Sequence, residues 1–118
     1  MDKNYYITTP IYYPSAKPHM GHAYSSIIAD FFARFKRMDG FDVHFLTGTD
    51  EHGLKIQRAA ENMNIEPLEF CDQISQTFRD LSKILNLSNT DFIRTTEERH
   101  KKSVQYLWSE LEKNDDIY

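Results

Sequence analysis

Two histidines, His19 and His22, lie three residues apart with Gly21 between them. If a helix begins at Gly21, both imidazoles can face one anionic group, and each can donate a hydrogen bond to it. Free backbone N–H groups and the positive end of the helix dipole are present at the same point. Because Gly21 has no side chain, a ligand can approach its backbone closely. The segment therefore predicts a binding site for a triphosphate, and the spacing suits charge that develops on phosphate in a transition state.

Two other interpretations compete for a bare pair of histidines at this spacing. One is a solvated helix start without any function. The other is a zinc site, which would need two further ligands, and only scattered carboxylates and His44, His52 and His100 could provide them. No Cys-x-x-Cys pair is present, so we predict no metal site on this segment. The surroundings of the two histidines must decide between a cap and a ligand site.

The elements that position these histidines follow from changes in the apolar pattern along the chain. Aromatic and β-branched runs predict strands, and apolar residues at spacings of three and four predict helices. Strands are predicted at 5–9, 41–47 and 92–95, and helices at 22–38, at 52–63, from Pro67 to Leu85, and after Thr95, which with Glu98 resembles a capping box. The last four residues predict a turn entering a fourth strand. This alternation predicts an α/β fold, a Rossmann-type parallel sheet covered by helices, of which about one half is present.

Apolar residues on three of the predicted helices are interpreted as core. The largest set belongs to the first helix and comprises Tyr24, Ile27, Ile28, Phe31, Phe32, Phe35 and Met38. Cys71 and Trp108 lie on the apolar stripes of later helices and are assigned to the core as well. Tyr12, in the loop after the first strand, is interpreted as an aromatic residue that packs in the core.

Composition excludes several classes of protein. The chain has 118 residues, a formal net charge of −4 and one cysteine, so it is neither a disulfide framework nor a basic, sequence-independent DNA binder. No apolar run approaches the roughly 18 residues of a membrane span. Forty per cent of the residues are hydrophobic, which is unlike a disordered chain. We expect a single domain in a reducing, cytoplasmic compartment, without membrane or DNA partners.

Three segments together carry a resemblance to a known family. They are PIYYPSAKPHMGHA at residues 10–23, TGTDEHG at 47–53 and FIRTTEERHKK at 92–102. In this order they resemble the N-terminal part of bacterial-type methionyl-tRNA synthetases, which are class I aminoacyl-tRNA synthetases. His19-Met20-Gly21-His22 is similar to the class I signature His-Ile-Gly-His, with Met in its second position. The matching signature segment comprises Tyr13, Pro14, Ser15, Ala16, Lys17, Pro18, His19, Met20, Gly21, His22 and Ala23.

The resemblance implies an activity and a set of residue roles. The family is a ligase that activates methionine with magnesium-bound ATP to methionyl-adenylate and transfers it to tRNA(Met) for protein synthesis. His19 and His22 would be catalytic and bind the ATP phosphates, and Gly21 would lie against the nucleotide. Asp50 matches the aspartate that binds the ammonium group of methionine. Pro10, Ile11 and Tyr13 match positions that line the methionine pocket, where aromatic and aliphatic walls suit a thioether.

The resemblance also implies what lies outside residues 1–118. The second ATP motif of the family, Lys-Met-Ser-Lys-Ser, does not occur here, and neither does a cysteine-rich zinc knuckle. Residues 1–118 would be the first half of the catalytic nucleotide-binding domain. The connective peptide, the second half and the anticodon-binding domain would be elsewhere, so the isolated segment is expected to be inactive. Two alternatives stay open: a truncated paralogue that acts as a regulatory or RNA-binding module, and a different class I enzyme.

Overall fold

In the part of the chain that the structure describes, three parallel strands form one sheet, and their order in space is the order in sequence. The computed structural model describes residues 3–118. The elements are β1 (Asn4–Thr8), α1 (Met20–Met38), β2 (Asp42–Thr49), α2 (Leu54–Met63), α3 (Pro67–Ile84), β3 (Asp91–Arg94) and α4 (Glu98–Lys113). In the register, Tyr6 lies opposite His44, and Thr47 lies opposite Phe92. The predicted α/β fold with a parallel sheet is confirmed.

The core lies between one face of the sheet and the helices. Small residues of α1, Ala29 and Ala33, pack against Val43 and Phe45 of β2. Next to them, Phe78 of α3 packs with Tyr12 and Phe92. On the opposite face of the sheet, Tyr6 and His44 stack with ring centroids 5.4 Å apart and remain exposed. Because the strand order is β1-β2-β3, both crossovers run in the same direction, and their helices pack on one face, as in one half of a doubly wound sheet.

The assignment of the large apolar residues of α1 to the core is wrong within residues 3–118. The buried residues of this helix are Ser26, Ala29, Asp30 and Ala33. All seven residues of the predicted stripe are at least partly exposed on the helix surface, namely Tyr24, Ile27, Ile28, Phe31, Phe32, Phe35 and Met38. Small side chains let a helix approach a sheet closely, so they occupy the contact and the large ones lie around it. Phe31, for example, is 64% exposed.

The predictions for the last helix need two corrections. Helix α4 buries none of its residues, and Trp108 is 58% exposed, so this tryptophan does not belong to the core. The capping box of Thr95 and Glu98 does not form, because the N-cap is Glu97 and no side chain caps the helix. The hydroxyl of Thr95 accepts the backbone N–H of Glu51 instead. By contrast, Cys71 is buried in α3 as predicted.

Element boundaries differ from the predictions mainly at the carboxyl end of the sheet. Helix α1 begins two residues earlier than expected, and α2 begins at Leu54. Residues 48 and 49, which lie beyond the predicted end of the second strand, continue β2 because each pairs with β3. The terminal residues form a turn at Asp115, with φ of 57°, but no fourth strand. Within residues 3–118, no helix is both long and apolar enough to cross a membrane.

Candidate active site

The loop between β1 and α1 returns to the sheet at Tyr12. The backbone N–H of Tyr12 donates to the carbonyl oxygen of Gly48 at 3.1 Å, and the N–H of Asp50 donates to the carbonyl oxygen of Tyr12 at 2.8 Å. These bonds fix the loop to the carboxyl end of β2. Ligands of open parallel sheets bind at this edge. The histidine segment and Asp50 are therefore connected to the same edge of the sheet.

His19 and His22 form a reciprocal cap at the start of α1. Nδ1 of His19 accepts the N–H of Gly21 at 3.0 Å, and Nδ1 of His22 accepts the N–H of His19 at 3.0 Å. The ring centroids are 3.9 Å apart. Because Nδ1 of each ring accepts a bond, each neutral imidazole carries its hydrogen on Nε2. The cap and the ligand site are thus not alternatives: Nδ1 makes the cap, and Nε2–H is left as a donor on each ring.

His22 is the more enclosed of the two histidines. Its ring meets Tyr12 and Phe78 edge to face, at centroid distances of 4.8 and 5.1 Å. Burial lowers the pKa of His22 below its ordinary value, and the neighbouring His19 lowers it further. The imidazole is therefore neutral near pH 7, in agreement with the tautomer that the cap requires. Tyr12 is buried as predicted, and its hydroxyl bonds to Ser26 at 2.9 Å.

Gly21 is required by the ring of His19. A Cβ at position 21 would lie 2.8 Å from Cε1 and 3.1 Å from Nδ1 of His19. Any other residue would push the ring out of its capping position. The sequence suggested a different reason, the close approach of a ligand to the backbone, and the intramolecular contact is sufficient by itself.

Asp50 follows β2 directly and is partly buried. Its Oδ1 accepts a hydrogen bond from the hydroxyl of Thr95, with an oxygen–oxygen distance of 3.4 Å. Two residues before it, Gly48 allows β3 to come close, because a Cβ at this position would lie 2.0 Å from the carbonyl oxygen of Ile93. The glycine of the TGTDEHG segment therefore sets the distance between the strands that carry Asp50 and Thr95.

Sequence analysis missed the role of Glu51. Its side chain is fully buried and pairs with Arg94 at 2.7 Å. It also accepts the hydroxyls of Thr49 and Thr96. A second acid, Asp72 of α3, binds the same guanidinium at 2.6 Å. The sequence contained a signal for this pair: Glu51 follows the second predicted strand, and Arg94 lies with two threonines at the end of the third.

The predicted methionine-pocket residues lie on the exposed part of the loop. Pro10, Ile11 and Tyr13 are all exposed, Tyr13 to 58%. Of the three, Ile11 alone lines an apolar cavity of about 190 Å³, together with residues of all three strands: Thr8, Thr9, Leu46, Thr47, Gly48 and Ile93. The rest of the signature segment is mixed, with Pro14 buried and the residues from Ser15 to Lys17 exposed. The structure thus brings Ile11 to the sheet but does not enclose a pocket around Tyr13.

No cluster of three or more His, Cys, Asp or Glu side chains that could hold a metal ion occurs in residues 3–118. The histidines considered as zinc ligands have other neighbours. His44 stacks on Tyr6, and Nε2 of His52 lies 3.3 Å from the carbonyl oxygen of Thr95. The arrangement at this edge therefore offers hydrogen-bond donors and one carboxylate, which suit an anionic group beside a cationic one.

Known proteins are similar in sequence to this chain over nearly its whole length. A family model described as tRNA synthetases class I (M) matches residues 5–118. The methionine–tRNA ligase of Rickettsia conorii is 58% identical over 118 residues, which are 100% of this chain and 23% of that protein. The mitochondrial methionine–tRNA ligase of Takifugu rubripes is 60% identical over 110 residues, 93% of this chain and 19% of that protein.

A solved structure gives the same result in three dimensions. The methionyl-tRNA synthetase of Mycobacterium tuberculosis in complex with methionyl-adenylate has a TM-score of 0.95 and 46% identity. The match covers 98% of this chain and 23% of that one. The chain thus spans about a fifth of the length of the relatives it matches. On the family model, these identities and the common fold, the chain belongs to the class I tRNA synthetases of the M type.

Proposed function

We propose that this chain is part of a methionine–tRNA ligase, which activates methionine with ATP and transfers it to tRNA(Met). Residues 1–118 would contribute the first half of the catalytic nucleotide-binding domain. The names of the relatives support the substrate, and the solved relative was obtained with methionyl-adenylate, the product of the first step. In that step an oxygen of the methionine carboxylate attacks the α-phosphorus of ATP. The bond to the β-phosphate oxygen breaks, and pyrophosphate leaves.

The observation that carries the proposal is the reciprocal cap of His19 and His22. Both Nδ1 atoms are occupied by backbone N–H groups, so both Nε2–H groups are held ready as donors at a helix N-terminus. Donors fixed before the reaction stabilise the charge of a pentavalent phosphorus without reorganisation. In this proposal His19 and His22 are the catalytic residues, and their Nε2–H groups bind the phosphates of ATP. Mg²⁺ enters as the counterion of ATP, as part of the substrate.

The second half of the proposal concerns methionine. The carboxylate of Asp50, at the end of β2, would bind the ammonium group by a charge-assisted hydrogen bond. Pro10, Ile11 and Tyr13 would contact the apolar side chain. Their exposure within residues 3–118 means that the rest of the pocket must come from elsewhere.

The test uses a full-length protein carrying this sequence and measures methionine-dependent exchange of pyrophosphate into ATP. His19→Ala and His22→Ala should each lower the rate about 10²–10³-fold, the usual effect of losing one preorganised donor. His44→Ala is the matched control, because His44 lies in the middle of β2, on its exposed face. Near-normal exchange in both active-site variants would overturn the roles proposed for His19 and His22, although it would still show a methionine-activating enzyme. A protein that binds tRNA without any methionine-dependent exchange would instead be a regulatory or RNA-binding module.

A further inference from the structure

The carboxylate of Asp50 has one side-chain hydrogen-bond partner within residues 3–118, the hydroxyl of Thr95. The distance from Oγ1 to Oδ1 is 3.4 Å, a long bond that a bound cation could shorten. Thr95 follows β3, the strand next to the one that ends at Asp50. The contact therefore joins two neighbouring strand ends.

The direction of this bond is fixed by the second bond of the same hydroxyl. Oγ1 of Thr95 accepts the backbone N–H of Glu51 at 2.8 Å. A hydroxyl has a single hydrogen, and after this acceptance that hydrogen is available to Asp50. Thr95 is itself buried, and its N–H donates to the carbonyl oxygen of Thr49 at 3.2 Å. Its side chain is therefore held in place from both sides.

A buried ion pair keeps the two strand ends together. Glu51, directly after Asp50, pairs with Arg94, directly before Thr95. The Glu51 side chain is fully buried and also accepts the hydroxyl of Thr96. Removing one member of a buried ion pair strongly destabilises a folded protein. This pair therefore holds the residues after β2 and the residues after β3 in one arrangement. The result is that the backbone on both sides of Asp50 and of Thr95 has little freedom.

We infer that Thr95 is a positioning residue for methionine recognition, which it serves by orienting the carboxylate of Asp50. The inference rests on the proposed function, in which Asp50 binds the ammonium group of methionine. Thr95 acts through Asp50 and touches no reacting atom. Its loss should therefore weaken the use of methionine and leave the use of ATP unchanged.

The experiment compares three variants of a full-length protein carrying this sequence, by pyrophosphate exchange at varied methionine and varied ATP. Thr95→Val keeps the shape and removes the hydroxyl, and it should raise KM for methionine about tenfold, the usual effect of one hydrogen bond to a charged group. KM for ATP should stay within about twofold. Thr95→Ser restores the hydroxyl and should restore KM for methionine to within about threefold of the parent.

Thr96→Val is the matched control. It also removes a hydroxyl from the Glu51 network but leaves the partner of Asp50 intact. It should lower the melting temperature about as much as Thr95→Val does, with KM for methionine unchanged. An equal increase of KM in both variants would overturn the inference, because general loosening of the loops would then explain it. If Thr95→Val does not fold, Thr95→Cys takes its place, since a thiol of similar size is a weak donor.

Asp50→Ala separates the inference from the proposed function. If Asp50→Ala leaves the use of methionine unchanged, the proposed role of Asp50 is wrong. If Asp50→Ala lowers kcat/KM for methionine strongly and Thr95→Val does not, the role of Thr95 alone is wrong. In the double variant, Thr95→Val should cause no further increase of KM beyond that of Asp50→Ala. A further increase would show that Thr95 acts on something other than Asp50.

Discussion

Gly21→Ala is the substitution that tests the histidine cap most directly. The new Cβ would lie 2.8 Å from Cε1 of His19, closer than such atoms approach in proteins, so the ring must move. The ring is held at this place by a 3.0 Å bond from the N–H of Gly21 to Nδ1. Movement of the ring therefore breaks the cap and displaces Nε2–H from the position in which we propose that it binds a phosphate.

The effect on stability should be small although the effect on rate is large. Loss of an N-cap hydrogen bond costs about 1 kcal/mol. Alanine in place of glycine within a helix gains up to about 1 kcal/mol, so the two terms nearly cancel. The loss of one preorganised donor lowers the rate about 10²-fold. We expect a melting temperature close to that of the parent and a large decrease in pyrophosphate exchange.

The assay is a double-mutant cycle with His19→Ala in a full-length protein carrying this sequence. If Gly21 serves only to admit the ring of His19, the double variant is no slower than His19→Ala alone, because the alanine at position 21 then has no ring to displace. Melting temperatures of the four proteins provide the control for folding. A double variant slower by a further factor of about ten would refute this reasoning. It would support the interpretation from sequence instead, in which a ligand lies against the backbone of Gly21.

Three further predictions concern other parts of the site. Gly48→Ala should destabilise the protein by about 3 kcal/mol, measured by denaturant unfolding, because its Cβ would lie 2.0 Å from the carbonyl oxygen of Ile93. Glu51→Gln should lower the free energy of unfolding by about 1–3 kcal/mol, because Arg94 keeps its bond to Asp72 but loses the charge of its buried partner, and an unchanged free energy of unfolding would contradict this. The imidazole of His22 should titrate by NMR below the ordinary pKa of histidine. The histidine of the unfolded chain then binds its proton at a higher pH than the folded protein does. The free energy of unfolding should therefore decrease as the pH falls through about 6.5.

The sequence was sufficient for the order and type of the seven elements from β1 to α4, although the fourth strand predicted after them does not form in the described residues. Local geometry alone determines the patterns used for this prediction. They are runs of aromatic and β-branched residues for strands, and apolar stripes with a period of 3.6 residues for helices. The position of the histidines at the start of α1 could also be predicted from local sequence, because Pro14 and Pro18 mark a loop directly before them. Asp50 could be placed because strand ends of a parallel sheet meet at one edge.

The sequence was insufficient where a contact depends on distant residues. In α1 the apolar pattern shows which residues are large, but Ala29 and Ala33 form the contact with the sheet because they allow close approach. The capping box at Thr95 had the right residue types, and the hydroxyl of Thr95 has a partner 44 residues earlier instead. Glu51 was overlooked because burial of a carboxylate requires Arg94, and local patterns do not predict that pairing.

Tyr12 explains why the two proposed subsites have a fixed relation to each other. Its backbone bonds to Gly48 and Asp50 fix one side, and its ring lies 4.8 Å from that of His22 on the other. Phe78 of α3 packs against both aromatic rings. The donors proposed to bind phosphate and the carboxylate proposed to bind the ammonium group are therefore joined through one buried residue, Tyr12. Attack by a carboxylate on phosphorus requires this kind of rigid spacing, since small misplacements of the reactants cost large factors in rate.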